Sequence, residues 1–247
     1  MLNDPWFRLQ LVLALSGYAG VFFYYVYFMS KRSGKISLTA AGEKFFLNTV
    51  VNIPLCVVWY VMPFLPQPLL PQIRYKGTTE LFASSPVPWS EFSYLYAPGN
   101  YVLADWIRIA VGLSIFVCAL YCIFRFLKEN TSVTVEDYAA PKKLLITGIY
   151  RHIRHPGLAA QFFAVAGLTV MTGGFYTVML LVLHMFALLA CAHIEERLVL
   201  TPLFGEEFKN YRMHTPAFRC RVVTAAGLAV NAALYAAYFF PNHILPA

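Results

Sequence analysis

Charge is nearly absent from six long stretches of this chain, at residues 6–29, 45–65, 101–127, 158–172, 175–193 and 222–240. Across the whole chain only 13% of residues are charged and 59% are hydrophobic, whereas a soluble domain carries about 25% charged residues. So little charge cannot clothe a water-soluble globule of 247 residues. Lipid can take the apolar surface instead. A bilayer is crossed by about 20 apolar residues in a helix, which satisfies its own backbone groups without water. The pattern therefore predicts an all-α, polytopic membrane protein with about six transmembrane helices. The fourth stretch is barely long enough to cross before Gly173-Gly174 turns it back. It reads, with the fifth, as a helix-turn-helix hairpin. The first stretch is too long for a signal-peptide core, and its basic residues Lys31 and Arg32 follow it. It is read as a retained span.

Basic residues orient such a bundle, because cytosolic loops collect Lys and Arg. Of the 19 Lys and Arg, 15 fall in the segments around Lys31–Lys44, Arg125–Arg154 and Arg197–Arg221. With six spans these lie on one face, which puts both termini outside and the three basic loops in the cytosol. The net charge of +7 is then mostly a topology signal, with some attraction to anionic lipid headgroups. No nucleic-acid partner is needed to explain it. The five cysteines, Cys56, Cys118, Cys122, Cys191 and Cys220, form neither a metal-type Cys-x-x-Cys motif nor a disulfide framework. They read as small apolar packing residues.

The chain divides into a scaffold and a working half. Residues 1–127 hold three spans and a proline-rich outer loop at 67–100, whose Trp89, Tyr94 and Tyr96 suit a membrane interface. Asp105 and Arg108 are spaced to pair on one helix face, and Pro54 is placed to kink the second span. Residues 128–221 gather polar and charged groups around the hairpin, and 222–247 supply a last transmembrane helix.

Two clusters in the working half carry chemistry. Thr147-Gly148-Ile149-Tyr150-Arg151-His152-Ile153-Arg154-His155-Pro156 precedes the fourth span. Glu195-Glu196 ends the fifth, followed by Leu203-Phe204-Gly205-Glu206-Glu207-Phe208 and Tyr211. A hairpin brings both clusters out on one side, where basic and acidic groups can hold a zwitterion by charge-assisted bonds. Pro156 suits the first position of a helix, and the N–H groups beside it suit an anion. Duller readings stand alongside. Arg151 and Arg154 serve equally as topology signals, and Glu195-Glu196 as a solvated helix end. His152 and His155, even with His193 and His214, lack the partners of a convincing metal set; no metal is expected. His184, inside a span, suits an interhelical hydrogen bond.

Taken together, Gly148-x-Tyr150, Arg154-His155-Pro156, Glu195-Glu196, Phe204-Gly205, Tyr211 and Pro216 resemble the isoprenylcysteine carboxyl methyltransferase family. Its relatives include phospholipid N-methyltransferases and membrane thiol methyltransferases. The resemblance covers roughly residues 142–218, about a third of the chain. It implies a membrane methyltransferase using S-adenosyl-L-methionine, with the cofactor entering from the cytosol and a lipophilic acceptor from the bilayer. By position it implies cofactor contacts from Lys142, Lys143, Leu144 and Leu145, then Tyr150, then His155, Pro156, Gly157 and Leu158, and finally Glu195 and Glu196. The basic strip suits the cofactor's carboxylate, Glu196 its ammonium and Tyr150 its adenine. Arg154 takes a catalytic place in this scheme.

The departures narrow the acceptor. Where the family has a tyrosine and then a glycine after the His-Pro pair, this chain has Leu158 and Ala160. Where carboxyl methyltransferases have an arginine before the acidic pair, this chain reads Ala190-Cys191-Ala192-His193. That favours a lipid amine or thiol over a prenylcysteine carboxylate, and such an acceptor must lose a proton. His193 is the candidate base. Two rival classes stay open. One is an NADPH-dependent, sterol-reductase-like enzyme, against which Glu195-Glu196 and the lack of a dinucleotide fingerprint argue. The other is a non-catalytic transport or assembly protein. Transporters place ionisable groups near the bilayer midplane, where these spans have almost none. A bacterial inner membrane and the endoplasmic reticulum are both compatible locations.

Overall fold

The computed structural model describes residues 5–35, 39–65, 67, 103–131 and 143–218. Residues 68–100 of the outer loop, Lys142 and the run at 222–240 lie outside the described residues, as do the side chains of Asp105 and Arg108. The regular elements among the described residues are helices: α1 (Pro5–Arg32), α2 (Ala40–Phe46), α3 (Val58–Val61), α4 (Leu103–Thr131), α5 (Pro156–Thr172), α6 (Phe175–Glu195) and α7 (Thr201–His214).

Three helical stretches have the length and composition to cross a membrane: Pro5–Arg32, Ile109–Glu129 and Phe175–His214. Two shorter apolar helices, Thr49–Phe64 and Pro156–Thr172, accompany them. At 1.5 Å per residue α5 reaches only about 26 Å, against about 42 Å for α1. The described residues thus contain three candidate spans of full length, and the sixth predicted run, at 222–240, lies outside them.

The rod from α2 to Phe64 is wound unusually. Leu47–Val57 forms wide π-helical turns, and Met62–Phe64 a tight 3-10 turn. Pro54 lies inside the π stretch. Proline has no N–H to donate and crowds the preceding turn, and a local change of winding accommodates it. The rod therefore widens at Pro54 where the sequence predicted a kink.

α5 ends at Gly173 with φ of 69°, and α6 begins two residues later at Phe175. The left-handed conformation at Gly173 is the usual glycine end of a helix. α5 and α6 pack on each other, and α6 packs along α1. One core cluster joins Phe7, Trp59, Met62, Val165 and Met179. A second joins Tyr27, Phe28, Leu55, Leu188 and Val199, nearer the end of α6. At the opposite end, buried Gln67 accepts from the Thr177 backbone N–H at 2.9 Å and hydroxyl at 3.0 Å. Its amide donates to Met62 O and Pro63 O. These bonds tie the start of α6 to the end of the Met62–Phe64 turn.

His184 departs from expectation. Neither ring nitrogen has a hydrogen-bond partner among the described residues. The ring lies against Trp59, 4.4 Å between centroids, and stacks on Phe162 at 6.3 Å. Its neighbours are aromatic, so it packs as a flat ring.

α4 lies along α5 with backbone in contact. A Cβ on Gly112 would sit 2.4 Å from Met171 N, and one on Gly167 would sit 2.6 Å from Phe116 N. Small residues at helix crossings in lipid let backbones approach this closely. The crossing carries the C-terminal turns of α4 to the start of α5.

Candidate active site

The site is built where the start of α5 meets the end of α6. His155 stands at the N-cap of α5, with Pro156 at its first helical position. At the other edge α6 passes into a π turn, Glu196–Leu200. The Thr201 hydroxyl donates to Glu196 O at 2.7 Å. This local widening lies where the two glutamates turn toward α5, and π turns recur at functional positions.

Both clusters found in the sequence meet there. Arg154 Nε donates to Glu196 Oε1 at 2.9 Å, and His155 Nε2 contacts the same oxygen at 2.9 Å. His155 Nδ1 lies 3.3 Å from Glu195 Oε2, and Arg212 Nε lies 3.7 Å from Glu196 Oε2. The Arg154, His155 and Glu196 side chains are only 9%, 3% and 8% exposed, whereas Glu195 is 38% exposed. The Arg154–Glu196 and His155–Glu196 pairs are therefore sheltered from the screening that makes surface ion pairs weak.

A strap from α7 closes the cluster. Arg154 Nη1 donates to Arg212 O at 3.0 Å and also to Thr215 O. The backbone N–H of Arg154 donates to Pro216 O, and that of His155 to Ala217 O. Phe218 stacks on the His155 ring at 6.3 Å. Two of the N–H groups expected to face an anion are thus taken by the strap. Helix geometry leaves Gly157 and Leu158 as the first-turn amides without an intrahelical acceptor.

Burial alone would push the His155 imidazole toward the neutral form. Hydrogen bonds and charges from Glu195 and Glu196 outweigh it and hold its pKa up at about 9. The ring is therefore an imidazolium at neutral pH and donates from both nitrogens. An unfolded histidine titrates near 6.5, so folding raises the pKa. The resulting stability is fully present below about pH 6.5 and is lost as pH rises through about 9. Melting of the detergent-solubilised protein should show this loss, and His155→Gln should remove that part of the profile. A wild-type melting temperature that is flat or rising across the window would contradict the paired imidazolium.

The remaining sequence candidates fall unequally. Tyr150 is half-buried on a 3-10 turn, Gly148–Arg151. Its carbonyl accepts from the Tyr211 hydroxyl at 2.5 Å, and its ring lies 6.3 Å from that of Phe126. Leu144 is buried, Leu145 half-buried and Lys143 exposed, in the extended lead-in to that turn. Pro156 is buried, with Gly157 and Leu158 half-buried. His193 is exposed near the end of α6. Sequence reasoning missed Arg212 and the carbonyls of residues 212–217. Arg212 reads as one more topology-setting cation, and carbonyl acceptors have no residue-type signature.

Such a fold and cluster define an all-helical integral membrane protein with a buried polar site at the mouth of its apolar helices. Residues 107–207 are similar to the phospholipid methyltransferase family. The matched stretch runs from α4 through the Tyr150 turn, α5 and α6 into α7. No curated protein and no solved structure matches the chain.

Proposed function

We propose that the protein transfers a methyl group from S-adenosyl-L-methionine to a membrane-partitioning acceptor, a lipid amine or thiol before an isoprenylcysteine carboxylate. The observation that carries this reading is the buried meeting of Arg154 and His155 with Glu195 and Glu196, inside a domain of matching family. Its donor set suits the amino-acid end of the cofactor, with cations for a carboxylate and carboxylates for an ammonium. When bound, the cofactor supplies a methyl on a sulfonium, an electrophile that is already activated.

The chain's own residues then have positioning work to do. Glu196 already serves Arg154 and His155, so partners must be exchanged if it is to hold an ammonium. Glu195 is the more open carboxylate and takes that role first. Arg154 and Arg212 offer guanidinium groups to a carboxylate, Gly157 and Leu158 offer amides, and Tyr150 offers an aromatic wall. The 143–145 lead-in borders this wall, and Lys142 extends the same strip in sequence. His193, at the boundary of α6, serves as base for an acceptor that must lose a proton. Six spans with the site facing the cytosol complete the topology.

The test is calorimetric titration of the solubilised protein with S-adenosylmethionine and, separately, NADPH. Saturable binding of the first alone supports the reading. Binding of NADPH alone transfers the protein to the reductase class, and binding of neither leaves a non-catalytic role. Once labelled methyl groups have identified the acceptor in membrane extracts, His193→Ala should lose turnover. Unchanged turnover would remove His193 from the mechanism.

A further inference from the structure

Glu129, on the last turn of α4, belongs to none of the motifs above, yet its carboxylate reaches the turn that bears Tyr150. Its Oε2 accepts from the Ile149 backbone N–H at 2.9 Å, across 20 residues of sequence. Its Oε1 accepts from Arg125 at 3.2 Å, one helical turn back. Gly148 has φ of 62°, and a Cβ there would lie 2.3 Å from Glu129 Oε2. The glycine thus has two independent reasons to lack a side chain: its left-handed backbone and the carboxylate lying on it.

The same turn is gripped from the other side. Tyr211 of α7 donates to the Tyr150 carbonyl, and the Phe126 ring, one turn before Glu129, approaches both Tyr150 and Gly157. A Cβ on Gly157 would lie 2.9 Å from Phe126 Cζ. α4 therefore touches both the Tyr150 turn and the first turn of α5. Without the Glu129 carboxylate, the Ile149 amide loses a charge-assisted partner, and the 148–151 turn loses its tie to α4 through that amide.

We infer that Glu129 is a positioning residue of the cofactor site, which fixes the Gly148–Arg151 turn and so sets the Tyr150 wall against which the cofactor's adenine packs. This rests on the methyltransferase reading proposed above. Glu129 works through Ile149 and Gly148 and does not itself touch the cofactor. Its charge strengthens the bond to the neutral Ile149 amide, and a neutral acceptor oxygen in the same place would keep roughly half of it.

The experiment uses full-length solubilised protein, S-adenosylmethionine titrations and hydrogen exchange at the Ile149 amide. Glu129→Ala should weaken cofactor affinity about tenfold, the scale of one lost charge-assisted bond, and should speed exchange at Ile149. Glu129→Gln keeps an acceptor oxygen and should stay within about threefold of wild type. Arg125→Ala should leave affinity near wild type, because it removes only the outer partner. Unchanged affinity in Glu129→Ala overturns the inference, and so does a Gln variant as weak as the Ala variant. Wild-type protein that binds no S-adenosylmethionine overturns the functional reading and the positioning role together. Wild-type binding with an unaffected Glu129→Ala variant overturns the positioning role alone.

Discussion

Glu196→Ala should abolish measurable S-adenosylmethionine binding and lower the melting temperature on the order of 10 °C. The carboxylate is the common partner of Arg154 and His155, and a third cation, Arg212, approaches its other oxygen. Removing it leaves buried cations facing one another. Breaking a buried pair in this way costs about 3–5 kcal/mol, more than the pair itself contributes, because the remaining charge keeps its desolvation penalty. Arg154 retains the carbonyls of Arg212 and Thr215, which holds the cost to the lower part of that range. Glu196→Gln keeps shape and one acceptor, so it should melt between the two while still binding weakly. Glu195→Ala provides the contrast, because Glu195 is more exposed and pairs only with His155 among the cations named here. Its loss should weaken cofactor binding with a smaller effect on melting. Calorimetric titration beside thermal denaturation separates the effects. A Glu196→Ala protein that binds within threefold of wild type would sink the assignment of this cluster as the cofactor site.

How much of this was legible beforehand differs residue by residue. α1 and α6 declare themselves through unbroken apolar runs, since a segment that cannot be solvated has few structures open to it. The meeting of Arg154-His155 with Glu195-Glu196 was also legible, because Gly173-Gly174 returns one apolar stretch along another. The winding at 47–57 was not. Apolar residues facing lipid on several sides show the same pattern in α and π turns, and Pro54 marks a disturbance without specifying its form. Glu129 was equally hidden. Beside Lys128 and Asn130 it reads as a solvated helix end, and its partner is a main-chain amide that any residue at position 149 would offer. His184 misled for a related reason. Trp59 and Phe162 reach it from other helices, and the register that stacks them is a product of packing.

Gly167→Leu should be the most damaging substitution in the apolar region, with loss of folded protein from detergent extracts and no cofactor binding in what remains. The Cβ of any residue at 167 would lie 2.6 Å from Phe116 N and 2.8 Å from Gly112 O. These are backbone atoms, so no side-chain rotation relieves the clash and α4 must move as a body. Overpacking a core relieved by flexible side chains costs about 1–3 kcal/mol; a backbone crossing exceeds that, because separating the helices also forfeits their shared contacts. Gly167→Ala should be milder than Leu yet clearly destabilising, as should Gly112→Ala, whose Cβ would meet Met171 N at 2.4 Å. Both act on one crossing, so the double alanine variant should fall short of the sum of the singles. Gly17→Ala is the control: its nearest neighbour would be Trp59 Nε1 at 3.5 Å, an ordinary contact, and it should melt like wild type. Surviving Gly167→Ala protein should also show faster exchange at Ile149, since α4 carries Phe126 and Glu129 to the Tyr150 turn. Normal melting in both alanine variants would show that the helices do not cross through these glycines, and would leave the placement of Glu129 without its support.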